Sequence, residues 1–375
     1  MTDNMKKEGR FLMKKERKKL ISRFSCLSLS IFIVIGTIYI ISNLLPFFAD
    51  LINGTVSQEF RKLMSSLSAP FTFSVFEFLI ICLPIIIFAV VYTAVKRFSD
   101  RQGRIRFTIN LVAVVLLVYS GHLLALGIGY KTTPISEKLE LPETEITEEK
   151  LTEILTDLRD ELNSLSSSLP RGRDGVFDPE YSYEDLSGKI CESYDLLAEK
   201  YGLPEGYDSS AKGVYFGNVM SYLGITGIYT YVTGEANVNT AYPAYVTIFT
   251  SAHEMCHQRG ILRENEANFV AYLITSTSDD ESLRYSGALN MYSYFASALY
   301  KTNKEAYYSV ARGLAEPVKA DIRAANAVSE RYGDTIIEEI SDKINDIYLE
   351  SSGNEGVISY SKVVEIVVAY YESEK

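Results

Sequence analysis

Apolar residues are concentrated in three long runs near the N-terminus and dispersed into periodic patterns after that. The runs cover about residues 21–45, 71–95 and 107–129, each long enough to cross a bilayer as a helix. The second contains Pro84, which is tolerated inside membrane helices. Beyond residue 130 the apolar positions recur at helical spacing. The run ITEEKLTEILTDLRDELNSLSSSL predicts one helix and Tyr183–Tyr201 a second. Further helices are expected at about 264–277, 281–301, 315–331, 335–349 and 359–372. The stretch GITGIYTYVTGEANVN differs: β-branched and aromatic residues broken by Thr233-Gly234 predict a short hairpin. The expected fold is mainly α, with a membrane anchor of three transmembrane helices over 1–130 and an α-rich domain with a small β-hairpin or sheet over 131–375.

Charge divides the chain at the same place. Residues 1–130 hold 16 Lys and Arg against 7 Asp and Glu, a net of +9; residues 131–375 hold 21 against 41, a net of −20. Eight basic residues precede the first run with Arg23 near its start, and five stand between the second and third, whereas the first connecting loop has only Arg61 and Lys62. Positive charge stays on the cytoplasmic side, so the N-terminus is expected in the cytoplasm and the C-terminal domain outside it. The long basic leader and the absence of an A-x-A-like site argue for an uncleaved anchor over a signal peptide. The acidic domain has no basic patch suited to nucleic acid. The expected partners are the lipid bilayer and a peptide or protein substrate.

The chemistry is concentrated in His253-Glu254-Met255-Cys256-His257. On a helix from Tyr245 to Arg259, begun near Pro243 and stopped at Gly260, residues four apart share a face, so both imidazoles can reach one metal ion. Glu254 beside them suits a base acting on a metal-bound water. Zinc is the expected cofactor and His253 and His257 its expected ligands. Cys256 is turned away from that face and reads as a core residue. Cys191 and Cys256 are both expected outside the cytoplasm, where a disulfide is chemically allowed.

A catalytic zinc usually has three protein ligands and an open position. The following sequence, HQRGILRENEANFVAYL, places Gly260 as a longer three-histidine pattern would, but Arg263 stands where its third histidine should be, and guanidinium cannot ligate. Glu264 and Glu266 remain. Glu266 is preferred, because it precedes small Ala267 and the apolar anchors Phe269 and Val270; Glu264 then becomes a supporting carboxylate, an N-terminal helix residue favoured by the dipole, or the alternative ligand. Glu235 and His122 are weaker candidates.

The segments MSYLGITGIYTYVTGEANVN, FTSAHEMCHQRGILRENEANFVAYL and YSGALNMYSYFASALY resemble an uncharacterised bacterial family of multi-pass membrane proteins, known as domain of unknown function thirty-eight-ten. The resemblance runs from the membrane spans to about residue 350. It implies a zinc-metallopeptidase-like protein with a zincin-like domain and carries no established substrate. The middle segment also resembles zinc peptidases whose glutamate before Ala-Asn is the third ligand, which by analogy implies Glu266.

The reading is a membrane-anchored zinc metallopeptidase acting outside the cytoplasm, with Glu254 as general base and acid. The alternative is a membrane-bound binding or regulatory protein with a structural or catalytically silent zinc. An oxyanion donor is also required, and Tyr292 and Tyr294 are suspects among 27 tyrosines. Asn237 and Asn239 could bind substrate or close a turn. The hairpin could hold an extended substrate on its edge. Glu77 and His122, ionisable groups inside the spans, are expected to face each other.

Overall fold

The computed structural model describes residues 2–98, 101–333 and 359–375. Helix α1 (Thr2–Leu44) leads into α2 (Pro46–Ile52), a π turn over Asn53–Ser57, and α3 (Gln58–Ser68). Two more long helices follow, α4 (Val75–Arg97) and α5 (Arg101–His122), the latter prolonged by a π turn and a 3-10 turn to Lys131. Among the described residues, three stretches are long and apolar enough to span a membrane: Arg23–Leu44, Val75–Arg97 and Arg101–Lys131. Helix α1 lies along α5, and no residue of α4 is buried, as suits an apolar helix surrounded by lipid.

The connection between the first two spans is more than a loop. Arg61 of α3 is fully buried, donating to Asn53 Oδ1 (3.0 Å), the Asn53 carbonyl (2.8 Å) and the Ala125 carbonyl (3.0 Å). A guanidinium without water needs such partners. These bonds tie α3 to the end of the third span.

After the short α6 (Ile135–Lys138), helix α7 (Glu148–Ser166) buries Leu151, Leu155, Leu158 and Leu162. That spacing puts all four on one face, which packs on the helix Glu281–Thr302. Helix α8 (Tyr183–Tyr201) starts where Ser182 Oγ accepts from the Asp185 N–H, and ends at left-handed Gly202. Both ends follow from local capping chemistry.

Strands β1 (Lys212–Val214), β2 (Gly227–Thr230) and β3 (Glu235–Asn239) form a sheet ordered β1-β3-β2, with α9 (Gly217–Ser221) between the first two. The expected hairpin is present: β2 and β3 are antiparallel, pairing Gly227 with Val238 and Thr230 with Glu235. Strand β1 adds in parallel on the other side of β3, so β3 is central and all five of its residues are buried.

Helix α10 (Ala244–Gln258) packs on β3, α11 (Glu264–Ser276) and α12 (Glu281–Thr302). Its Ile248, Phe249, Ala252, Met255 and Cys256 meet Phe269, Val270 and Leu273 of α11 in one continuous core. Helices α13 (Lys304–Ala311), α14 (Glu316–Tyr332) and α15 (Ser359–Ser373) complete the described fold. The helix expected near 335–349 lies outside the described residues. Cys191 and Cys256 are both free thiols; Cys191 Sγ instead meets Arg259 Nη2 at 3.0 Å.

Candidate metal centre

The turn after α10 shapes the site. The Ile261 N–H donates to the Cys256 carbonyl and the Gly260 N–H to the His257 carbonyl, both at 3.0 Å, the paired bonds of a Schellman end. Gly260 has φ +94°, a conformation that favours glycine. A Cβ there would also collide with the Arg61 guanidinium. Asn53 Nδ2 donates to the Gly260 carbonyl at 3.0 Å. The helix connecting two membrane spans thus holds the turn that aims α11 back at α10.

Glu264 is the first residue of α11, and the turn places it against both imidazoles. Its Oε2 lies 3.2 Å from His253 Nε2 and its Oε1 3.4 Å from His257 Nε2. One donor atom from each of the three residues falls within 4.8 Å of the others. With zinc bonds of 2.0–2.1 Å, two tetrahedral ligands are separated by roughly 3.3 Å, so this donor set fits one zinc. His257 Nδ1 faces the Ile261 carbonyl at 2.8 Å; a proton held there leaves Nε2 its lone pair, the orientation found in metal-ligating histidines. The two rings are nearly perpendicular, 84° apart with centroids at 4.6 Å.

Charge is strongly coupled within this group. Burial pushes His257 down, but Glu264, then Glu254 and the Ile261 carbonyl, outweigh it and raise the imidazole to about 9. Burial pushes the Glu264 carboxyl up, yet the two histidines hold it well below the usual carboxylate range.

Glu254 is set apart from these three. It is 5% exposed, its Oε2 has no hydrogen-bond partner, and burial raises its carboxyl above the ordinary value. Gly227, at the start of β2, is what lets the strand approach: a Cβ there would lie 2.7 Å from Glu254 Oε1.

All four residues open into one cavity of about 930 Å³, shared with Thr250, Asn268, Asn290, Tyr294 and the main chain of β2. Thr250 precedes His253 by three residues and Asn268 follows Glu264 by four, so helical spacing could have nominated both. Asn290, held by its bonds to the Tyr245 and Ser286 carbonyls, carries no such signal.

Other candidates lie elsewhere. Glu266, the preferred third ligand, is not brought to the two imidazoles: its Oε1 accepts from the Ile135 N–H (3.0 Å) and Arg263 Nη1 (2.9 Å), because the third position of α11 turns it away from α10. Tyr292 is 3% exposed, in the core near Tyr307 and Arg159, whereas Tyr294 lines the cavity. Asn237 and Asn239 are fully buried. Asn237 accepts from Ser74 Oγ at 2.6 Å and donates within the hairpin. Asn239 closes a turn by accepting from the Ala241 N–H at 3.0 Å. Glu235 pairs with Lys212 at 2.7 Å and accepts from the Val75 and Phe76 N–H groups at 2.9 and 2.8 Å, at the start of the second span. Glu77 accepts from the Tyr215 and Phe216 N–H groups at 3.0 and 2.7 Å, tying its span to the C-terminal domain rather than to the third span as expected. His122 stacks with Tyr119 and meets Tyr231 edge-on.

The fold and site therefore describe a mainly helical protein with three membrane-length helices and a two-histidine, one-carboxylate cluster. The chain belongs to the family described as a protein of unknown function (DUF3810), whose model matches residues 54–368. That match includes α3 as well as the C-terminal domain, so it takes in Arg61 and the cluster together. No curated protein and no solved structure matches the chain.

Proposed function

We propose that the protein is a membrane-anchored zinc-dependent peptidase whose C-terminal domain lies outside the cytoplasm. The observation that carries this reading is the pairing of a metal-sized gap between His253, His257 and Glu264 with a buried carboxylate, Glu254, in the same open cavity. His253 Nε2, His257 Nε2 and Glu264 would hold the ion. Bound zinc would supply a polarised scissile carbonyl and a water acidic near neutral pH.

This chain's own residues do the rest. Glu254 takes the water's proton and returns it to the leaving amine. Its burial keeps it basic enough for that exchange. The Ile261 carbonyl fixes the His257 ring. Among the described residues strand β2 pairs only with β3, so its other edge offers main-chain groups to an extended peptide. Tyr294 lines the cavity and carries a hydroxyl able to donate to the oxyanion, whereas the Asn290 amide N–H groups are taken by the Tyr245 and Ser286 carbonyls. Extracytoplasmic placement follows from the basic N-terminal leader and the basic second loop.

Glu254→Gln tests the reading in the full chain, purified in detergent and loaded with zinc. The variant should keep its zinc and lose cleavage of a random peptide mixture by about 10²–10⁴-fold. Equal turnover in both proteins would remove Glu254 as base. Zinc binding without any cleavage by the unaltered protein would favour a membrane-bound binding or regulatory protein with a silent site.

A further inference from the structure

The cavity does not end at the motif. It continues along the second span, where Phe76, Leu79, Ile80, Leu83 and Ile86 form its wall. Those positions follow i, i+3, i+4, i+7 and i+10, one face of a helix. The wall reaches Ile86, about halfway along α4. The opposing wall is shorter. The third span contributes His122, Leu126 and Tyr130, while Val115 and Val118, deeper in the same helix, are 57% and 50% exposed. Past His122 the groove is therefore one-sided and open laterally, unlike a tube enclosing an acyl chain.

Strand β2 joins this groove to the reacting centre. At one end Gly227 lies against Glu254. Just past the other end, Tyr231 Oη donates to the Val118 carbonyl of the third span at 3.2 Å and its ring meets His122. From Gly227 to Tyr231 is four steps of strand, roughly 13 Å at 3.3 Å per residue. Beside the start of α4, Tyr215 and Phe216 are 84% and 49% exposed, with their N–H groups on Glu77. Exposed aromatic rings at the end of a span suit the membrane interface.

We infer that the substrate is a polypeptide bearing a transmembrane helix, and that it is cut a few residues outside that helix. This inference rests on the peptidase reading above. The substrate helix lies on the Leu79–Leu83–Ile86 face of the second span, and the adjoining extended chain runs along the β2 edge to Glu254. The four-residue length of β2 sets the spacing: the cleaved bond falls about four to six residues from the helix end.

The full-length Glu254→Gln protein in phosphatidylethanolamine–phosphatidylglycerol vesicles allows docking to be tested apart from turnover. The probe is a synthetic twenty-residue Leu/Ala transmembrane helix carrying an eight-residue randomised extension. Photoreactive benzoylphenylalanine is placed at Leu83 or, on the opposite face, at Ile85. Crosslinking at position 83 should exceed that at 85 by at least about tenfold, as helix packing on one face requires. A palmitoyl-anchored form of the same extension should crosslink weakly. Equal yields at 83 and 85 would overturn the docking face, and equal yields from the palmitoyl form would assign the groove to an acyl chain instead. The unaltered protein should cleave the helix-bearing probe at least about tenfold faster than the free extension, given the gain from tethering. Equal rates would overturn the substrate class. Strong crosslinking at 83 with no cleavage of any form would uphold the groove and overturn the peptidase reading.

Discussion

Two buried polar clusters flank the hairpin, and they differ in how completely they are satisfied. Around Glu235 the carboxylate pairs with Lys212 and accepts two main-chain N–H groups, and Lys212 Nζ also donates to the Ser68 carbonyl at 2.8 Å. Around Glu254 the carboxylate Oε2 and His253 Nδ1 have no partner, and the Glu264 carboxylate is shared between two imidazole nitrogens. The first cluster is what folding alone requires of buried charge. The second leaves polar atoms unmatched at the wall of a cavity, a cost that structure does not require and that chemistry can use. Lys212 and Glu235 belong to the sheet, and Glu254 meets it at Gly227, so scaffold and candidate site lie within one small region.

The largest effect belongs to the satisfied cluster. Lys212→Met should lower unfolding stability by about 3–5 kcal/mol, the cost of leaving one partner of a buried ion pair alone. Thermal or urea unfolding of the full chain measures it. A loss under about 1 kcal/mol, as for an exposed pair, would mean that Glu235 is satisfied by the span-two N–H groups without its lysine.

A smaller effect follows from pH in the second cluster. His257 is raised from its ordinary 6.5 to about 9 in the metal-free protein. A raised histidine contributes stability that is full below pH 6.5 and lost as pH rises through about 9. The chelator-treated protein should therefore melt several degrees lower at pH 9.5 than at pH 6.5, and Glu264→Gln should flatten that slope. A slope of the opposite sign would show that the histidine is buried neutral. Zinc affinity should rise over the same interval, since the proton must leave before the cation binds.

The fold was largely legible where local chemistry sets it. The span limits follow from unbroken apolar runs, and the helical spacing of Tyr183–Tyr201 matches α8, whose ends the structure caps with Ser182 and Gly202. Strand β1 was missed: Lys-Gly-Val is three residues, too short to show alternation. The helical connection at 46–68 was missed because it was weighed only for charge, while its role depends on Arg61 meeting Ala125 and the Gly260 turn.

The site shows the same limit. The histidine pair is a local pattern and was readable at once. Choosing between Glu264 and Glu266 requires the direction of the turn at Gly260, which Asn53 holds from 207 positions away in the chain. Glu264 faces the imidazoles, and Glu266, at the third position of α11, bonds the Ile135 N–H and Arg263.

Zinc content of the purified full-length protein, compared with its Glu264→Gln and Glu266→Gln variants, tests the centre most directly. One zinc per chain is expected in the unaltered protein and in Glu266→Gln. In Glu264→Gln zinc binding should weaken by at least about 100-fold, since a ligand is removed rather than an outer contact. Zinc retained by Glu264→Gln and lost from Glu266→Gln, or no zinc in the unaltered protein, would contradict this expectation.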